Sequence, residues 1–190
     1  FNHIKFIKAV NVGLTEINRE DVQSFKSVEI LDLSENKITA IGNMNFINLP
    51  SLASLHLMEN LIENIHMNAF DECSKNLSFI DLSFNKLKSI QTNLLDGIGK
   101  SEIVSLILNH NEIEVITPST FKSSKVSDKK FETLDMSHNK LRNFTYTCIK
   151  IKSLKLNDNN LEEYNVENCT LGSLNLTNNL LRSNFNAGSL

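Results

Sequence analysis

Apolar and polar residues alternate in a frame that returns along the whole chain: LDLSENKI (31–38), LHLMENLI (55–62), IDLSFNKL (80–87), LILNHNEI (106–113), LDMSHNKL (134–141), LKLNDNNL (154–161) and LNLTNNLL (174–181). Each copy sets two aliphatic side chains two residues apart, an asparagine three residues after the second, and another aliphatic two residues beyond the asparagine. Residues two apart share one face of a strand but lie on nearly opposite sides of a helix. The frame therefore predicts short strands, with Leu31 and Leu33 turned inward and Ile30, Asp32 and Ser34 outward. Stacked copies make a parallel sheet.

Extended backwards, the frame reads L-x-x-L-x-L-x-x-N-x-L from Val28, Leu52, Leu77, Ile103, Phe131, Ile151 and Leu171, with a degenerate copy from Ile4. Eight repeats of this form are the signature of a leucine-rich-repeat array. The expected fold is an α/β solenoid, a horseshoe with a parallel inner sheet and an irregular or short-helical outer side. Residues 1–190 form one domain in this reading, a fragment without either cap. The asparagine has a physical reason: the backbone turns into the core just after the strand, and its amides and carbonyls need a buried side chain that both donates and accepts. Asn36, Asn60, Asn85, Asn111, Asn139, Asn159 and Asn179 are expected to stack as that ladder. Val12 holds the slot in the first copy, as suits a terminal rung with no predecessor to bond.

On the outer side, Phe46, Phe70, Leu95 and Phe121 fall ten residues after their asparagines, and Leu49, Cys73 and Ile98 thirteen after, which predicts an apolar outer spine. Spacings between the asparagines run 24, 25, 26, 28, 20 and 20. The longest copy carries the polar insert KSSKVSDKK (122–130), an expected outer loop. After Phe144 the shorter copies leave less room for an outer helical turn, so a change of curvature is expected near residue 145.

Composition narrows the function. A net charge of −3 and only three Arg among 19 basic residues give no footprint for nucleic acid. No apolar run approaches the ~20 residues that span a bilayer. Cys73 takes an outer-spine position and reads as a buried thiol, whereas Cys148 and Cys169, 21 residues apart, fall on adjacent rungs and could be bridged. Four N-x-S/T triplets, at Asn76, Asn143, Asn168 and Asn175, are candidate glycosylation sites. A glycan on Asn175 would close the C-terminal part of the inner face.

Down the middle of that face run Lys8, Asp32, His56, Asp81, Ile107, Asp135, Lys155 and Asn175. His56 lies between two aspartates, and attraction across the rungs is expected. Ser54 beside it suggests a Ser/His/Asp set, but a flat open sheet supplies neither an oxyanion hole nor a dry pocket. Neither catalytic residues, a metal site nor a cofactor is assigned. Phe6, Val10, Ile30, Met58, Phe79 and Ile107 are apolar among these charges, while the C-terminal half offers Thr133, Ser137, Ser153, Ser173 and Thr177. Exposed apolar residues rimmed by charge mark protein interfaces. The predicted partner surface is Phe6, Lys8, Ile30, Asp32, His56, Met58, Phe79, Asp81, Ile107 and Asp135.

The opening IKFIKAVNVGLTEINREDVQSFKSVEILDLSENKI resembles the first repeats of secreted insect leucine-rich-repeat proteins, especially the mosquito leucine-rich immune proteins. That resemblance implies an extracellular scaffold of innate immunity whose partners are complement-like thioester proteins or sister repeat proteins. A Toll-like or chaoptin-like ectodomain of a surface receptor or adhesion protein is the alternative. An intracellular adaptor is a third, requiring reduced cysteines and unmodified asparagines.

Overall fold

The computed structural model describes residues 3–71, 73–91, 94, 103–117, 120–121, 130–147, 150–167 and 170–182. The residues around the first aliphatic of each pair form a strand of one eight-stranded parallel sheet. Its members in spatial order are β1 (Phe6–Lys8), β2 (Ile30–Asp32), β4 (Ser54–His56), β6 (Phe79–Asp81), β7 (Ile103–Ile107), β8 (Lys130–Asp135), β10 (Lys150–Lys155) and β12 (Thr170–Asn175). Register follows the sequence frame: Leu31 pairs with Leu55, Leu55 with Ile80, Ile80 with Leu106, and Leu134 with Leu154. One irregularity interrupts it, where Val104 pairs with Phe131 but Ser105 with Thr133, so that Glu132 is extra on β8. Leu55, Leu57, Ile80, Leu82, Leu134, Leu154 and Leu156 are fully buried along the inner side of the core.

All seven asparagines form the expected ladder, and its geometry has a direction. The Oδ1 of each accepts the backbone N–H two residues past the asparagine of the preceding rung, as in Ile38 N to Asn60 (3.1 Å), Ile62 N to Asn85 (2.9 Å) and Leu161 N to Asn179 (2.9 Å). The Nδ2 group donates to carbonyls of its own turn and of the rung before. Asn36 does the same to the first rung, accepting from Val12 N and Leu14 N and donating to Ala9 O, while the Val12 side chain is 61% exposed. The turn that brings each asparagine inward is left-handed. Asn11, Glu35, Glu59, Phe84, His110, His138, Asp158 and Asn178, each one residue before the ladder position, all have φ between 52° and 56°. Non-glycine residues hold this conformation at a cost of about 1–2 kcal/mol, offset here by the hydrogen bonds it makes possible.

The outer spine forms at Phe46, Leu49, Phe70 and Phe121, all buried, with Phe46 and Phe70 stacked at 5.6 Å. Cys73 packs partly buried beside them, and desolvation pushes its thiol up to about 11. Leu95, Ile98 and residues 122–129 of the insert lie outside the described residues. α-Helix is confined among the described residues to α1 (Arg19–Val22), capped by Asn18. Further outer segments are strands: β3 (Ala40–Ile41) pairs with β5 (Asn64–Ile65), and in the short repeats β9 (Asn143–Thr147) pairs with β11 (Glu163–Glu167). Phe144 and Tyr164 stack at 6.2 Å beneath that second pair. Twenty residues leave no length for a helical turn, so the chain returns extended on both sides.

Candidate functional site

Strand register brings the sequence-predicted surface into three rows on the inner sheet. Phe6, Ile30, Ser54, Phe79 and Ser105 lie side by side, then Lys8, Asp32, His56, Asp81, Ile107 and Asp135. Two residues further along each strand come Val10, Ser34, Met58 and Ser83. Phe6 is 54% exposed, and Lys8 is exposed; Ile30, Asp32, His56, Met58, Phe79, Asp81 and Ile107 are half-buried. The half-buried ones touch their neighbours and still present a surface. Asp135 is different: it is buried, its Oδ1 accepts from Ser137 N and Oγ, and its Oδ2 pairs with Lys155 Nζ at 3.1 Å.

Asp32 and Asp81 use one oxygen each in the same local turn, accepting from Ser34 N (3.1 Å) and from Ser83 N and Oγ (2.9 and 2.6 Å). Their other oxygens have no hydrogen-bond partner among the described residues. His56 is not paired with either aspartate. Its Nε2 is 2.8 Å from Ser54 Oγ on its own strand, and its ring lies 5.0 Å from that of Phe79. The Ser54–His56 contact has no aspartate behind it, so the set does not form a catalytic relay. Among the described residues no three His, Cys, Asp or Glu side chains converge as a metal site.

Sequence reasoning missed a second stripe along the rim, made by the left-handed residues. There Phe84, His110 and His138 stack face to face at 4.2 and 4.1 Å, within 10° of parallel. The stripe continues through His138 Nε2 to Asp158 (3.4 Å) and Asp158 to Asn178 Nδ2 (2.7 Å). His110 is held below the usual imidazole value, first by burial and then by the charge of His138, against the attraction of Asp135 and Asp158. The signal was present: reading the residue before each asparagine gives three rings on consecutive rungs. Both histidines look like solvated loop residues when each repeat is read alone.

Among the candidate modification sites, Asn76, Asn143 and Asn175 are exposed. Asn175 Oδ1 accepts from Thr177 N and Oγ1, the hydroxyl of its own triplet, and its Nδ2 donates to Asn157 Oδ1. Asn168, Cys148 and Cys169 lie outside the described residues.

Comparison with known proteins agrees with this geometry. Residues 10–62 and 26–87 match the leucine rich repeat profile. Residues 10–87 thus carry leucine-rich repeats. Human lumican is 26% identical over 188 residues, covering 88% of this chain and 54% of its own length, and Xenopus tropicalis Tsukushi is 36% identical over 115 residues, covering 56% and 32%. The chain thus spans about half of human lumican or less of such relatives. Among solved structures, the leucine-rich-repeat domain of APL1B superposes with a TM-score of 0.73 at 18% identity, over 94% of this chain and 52% of that one. The TLR13–ssRNA13 complex superposes with a TM-score of 0.65 at 21% identity, over 90% and 28%. These likenesses establish the fold of the leucine-rich-repeat solenoid.

Proposed function

We propose that the chain is an extracellular protein-binding scaffold of innate immune recognition, taking a protein partner on the inner sheet of its first five rungs. The observation that carries this is the unequal distribution of apolar surface. Phe6, Ile30, Met58, Phe79 and Ile107 stand in the N-terminal rows with none of the described elements over them, while Thr133, Ser153 and Ser173 occupy the equivalent places further on. Apolar residues of this kind at an open sheet are worth more covered than wet, at about 25 cal/mol per Å² removed from water. The flat rows, without a water-excluded pocket around Ser54 and His56, favour binding over catalysis. Exposed triplets at Asn76, Asn143 and Asn175, with the fold of APL1B, support the extracellular setting. A complement-like protein or a second repeat protein is the partner class that the mosquito-family resemblance suggests.

The likeness to TLR13 and to human leucine-rich repeats and immunoglobulin-like domains protein 1 (28% identical over 121 residues) supports a second reading, the ectodomain of a surface receptor or adhesion protein. Both readings use the same face. Affinity capture from secreted proteins tests it: Phe79→Asp should lower recovery of a specific partner at least tenfold, and Met67→Asp, at an exposed position elsewhere, should leave it unchanged. Equal recovery with Phe79→Asp overturns the assignment of the surface.

A further inference from the structure

We propose that the protein partner presents an arginine to this surface, its guanidinium lying on the open face of Phe84 and pairing with Glu59. This deepens the reading of the inner sheet as a partner surface and rests on it. Phe84 is 45% exposed. One side of its ring is covered by His110, which is itself sandwiched between Phe84 and His138. Because the rings are stacked along the array, the second side of Phe84 looks toward the preceding rung, where no ring lies against it among the described residues.

The residue beside it on that rung is Glu59. His56 pairs with Asp81 in the sheet, so Glu59, three residues beyond His56, flanks Phe84, three beyond Asp81, and Glu59 N donates to Ser83 O at 3.0 Å. A planar cation continues the stack by one further step at the spacing already set by the two imidazoles, and the step ends beside a carboxylate. Carboxylates predominate around it. Glu35 and Glu59 are exposed and lie within salt-bridge distance of no cation among the described residues, and Asp32 and Asp81 keep one oxygen each. By contrast Glu29, Glu112, Glu132, Asp135 and Glu162 are each paired with a Lys or Arg of a neighbouring rung. Lys8 stands on the first rung, Lys37 and Lys86 lie beyond the ladder asparagines, and the Nε2 of His56 is engaged with Ser54. Met58, the residue before Glu59, adds apolar surface for the stem of a long side chain.

Chemistry selects among occupants. An acidic segment or a nucleic-acid backbone would meet four carboxylates. A lysine carries the right charge but cannot stack, whereas a guanidinium is flat, lies on aromatic faces and forks onto a carboxylate.

The test is an NMR titration of the ¹⁵N-labelled chain with the peptide acetyl-Gly-Arg-Gly-Arg-Gly-amide and its lysine and citrulline counterparts. The arginine peptide is expected to shift the amides of Glu59, Ser83 and Phe84 in the millimolar range, the lysine peptide at least threefold more weakly, and the uncharged citrulline peptide not at all. Phe84→Leu and Glu59→Gln, both at exposed positions, should each weaken the arginine peptide at least threefold while the remaining amide spectrum stays in place. Equal binding of the citrulline peptide, or arginine-dependent shifts that survive both substitutions, overturns the proposal. If Phe79→Asp abolishes partner capture while Phe84→Leu and Glu59→Gln leave capture and peptide binding intact, the arginine site falls and the partner surface stands. If the arginine peptide binds at Phe84 but Phe79→Asp leaves capture unchanged, the reverse holds.

Discussion

Replacing Asn85 by alanine tests the ladder at its centre. Asn85 is 7% exposed; its Oδ1 accepts from Ile62 N at 2.9 Å, and its Nδ2 donates to Leu57 O (2.9 Å), Leu82 O (3.1 Å) and Ser83 O (3.1 Å). The three carbonyls keep other donors: Asn60 Nδ2 reaches Leu57 O, Asn111 Nδ2 reaches Leu82 O, and Glu59 N reaches Ser83 O. Ile62 N has no second acceptor among the described residues. One orphaned buried N–H costs about 1–3 kcal/mol, and the lost share of three carbonyl bonds with a small void adds on the order of 1 kcal/mol. Asn85→Ala should therefore cost about 2–4 kcal/mol in equilibrium urea unfolding followed by far-ultraviolet circular dichroism. Asn85→Asp should cost at least as much at neutral pH, because a carboxylate keeps the Ile62 bond but turns its second oxygen onto three carbonyls. Asn179→Ala is the comparison, since that rung is half-exposed and water can replace its bonds; it should cost under about 1 kcal/mol. A loss below about 1 kcal/mol for Asn85→Ala, or equal losses at both sites, would refute the account of the ladder.

Further substitutions address other parts of the molecule. A Cβ on Gly172 would lie 2.6 Å from Lys152 O, a backbone atom of the neighbouring strand, so Gly172→Ala should destabilise by about 1–3 kcal/mol and show first as faster amide exchange in β12. Because burial holds the Cys73 thiol near 11, maleimide-type labelling of Cys73, read by peptide mass, should be slow at pH 8 in the native protein and fast in urea; rapid native labelling of that residue would contradict the packing. The His110 value is depressed on folding, so its contribution is present above the unfolded value of about 6.5 and is lost as pH falls below it, toward the folded value. The urea midpoint should accordingly fall between pH 7.5 and 5.5. His110→Phe, which keeps the stack without a proton site, should flatten that slope; an unchanged slope would assign it elsewhere.

The inner half of this fold is legible in the sequence because every repeat solves the same local problem. Alternation such as Leu31–Asp32–Leu33 fixes which side is buried, and a single amide side chain answers the turn's need for both donor and acceptor. The extra residue on β8 is invisible, since a frame anchored at Leu134 and Met136 tolerates Glu132 without altering its pattern. Outer strands were missed for another reason: β3 and β5 are two residues long, too short for any period to register. The left-handed turn is marked only in part: Asn11, Asp158 and Asn178 are of types that tolerate it, but Glu35, Glu59 and Phe84 hold the same position. Their side chains consequently project along the rim, which is why the stacked rings escaped a reading made repeat by repeat. On the inner sheet the strand register follows the sequence frame, but the electrostatics do not. The sequence put His56 between two aspartates, while the nearer Ser54 and the serines two residues past Asp32 and Asp81 claim those groups first.

The one-way reach of the asparagines makes the two ends of the coil unequal. Peeling the array from its C-terminal side strips each exposed turn of the acceptor that held its backbone, whereas peeling from the N-terminal side leaves the next turn still clasping its own carbonyls. Fraying should consequently travel more readily towards the N-terminal turns than away from them, and a cell assembling the coil in chain order adds, with each new winding, the clasp that locks the one before.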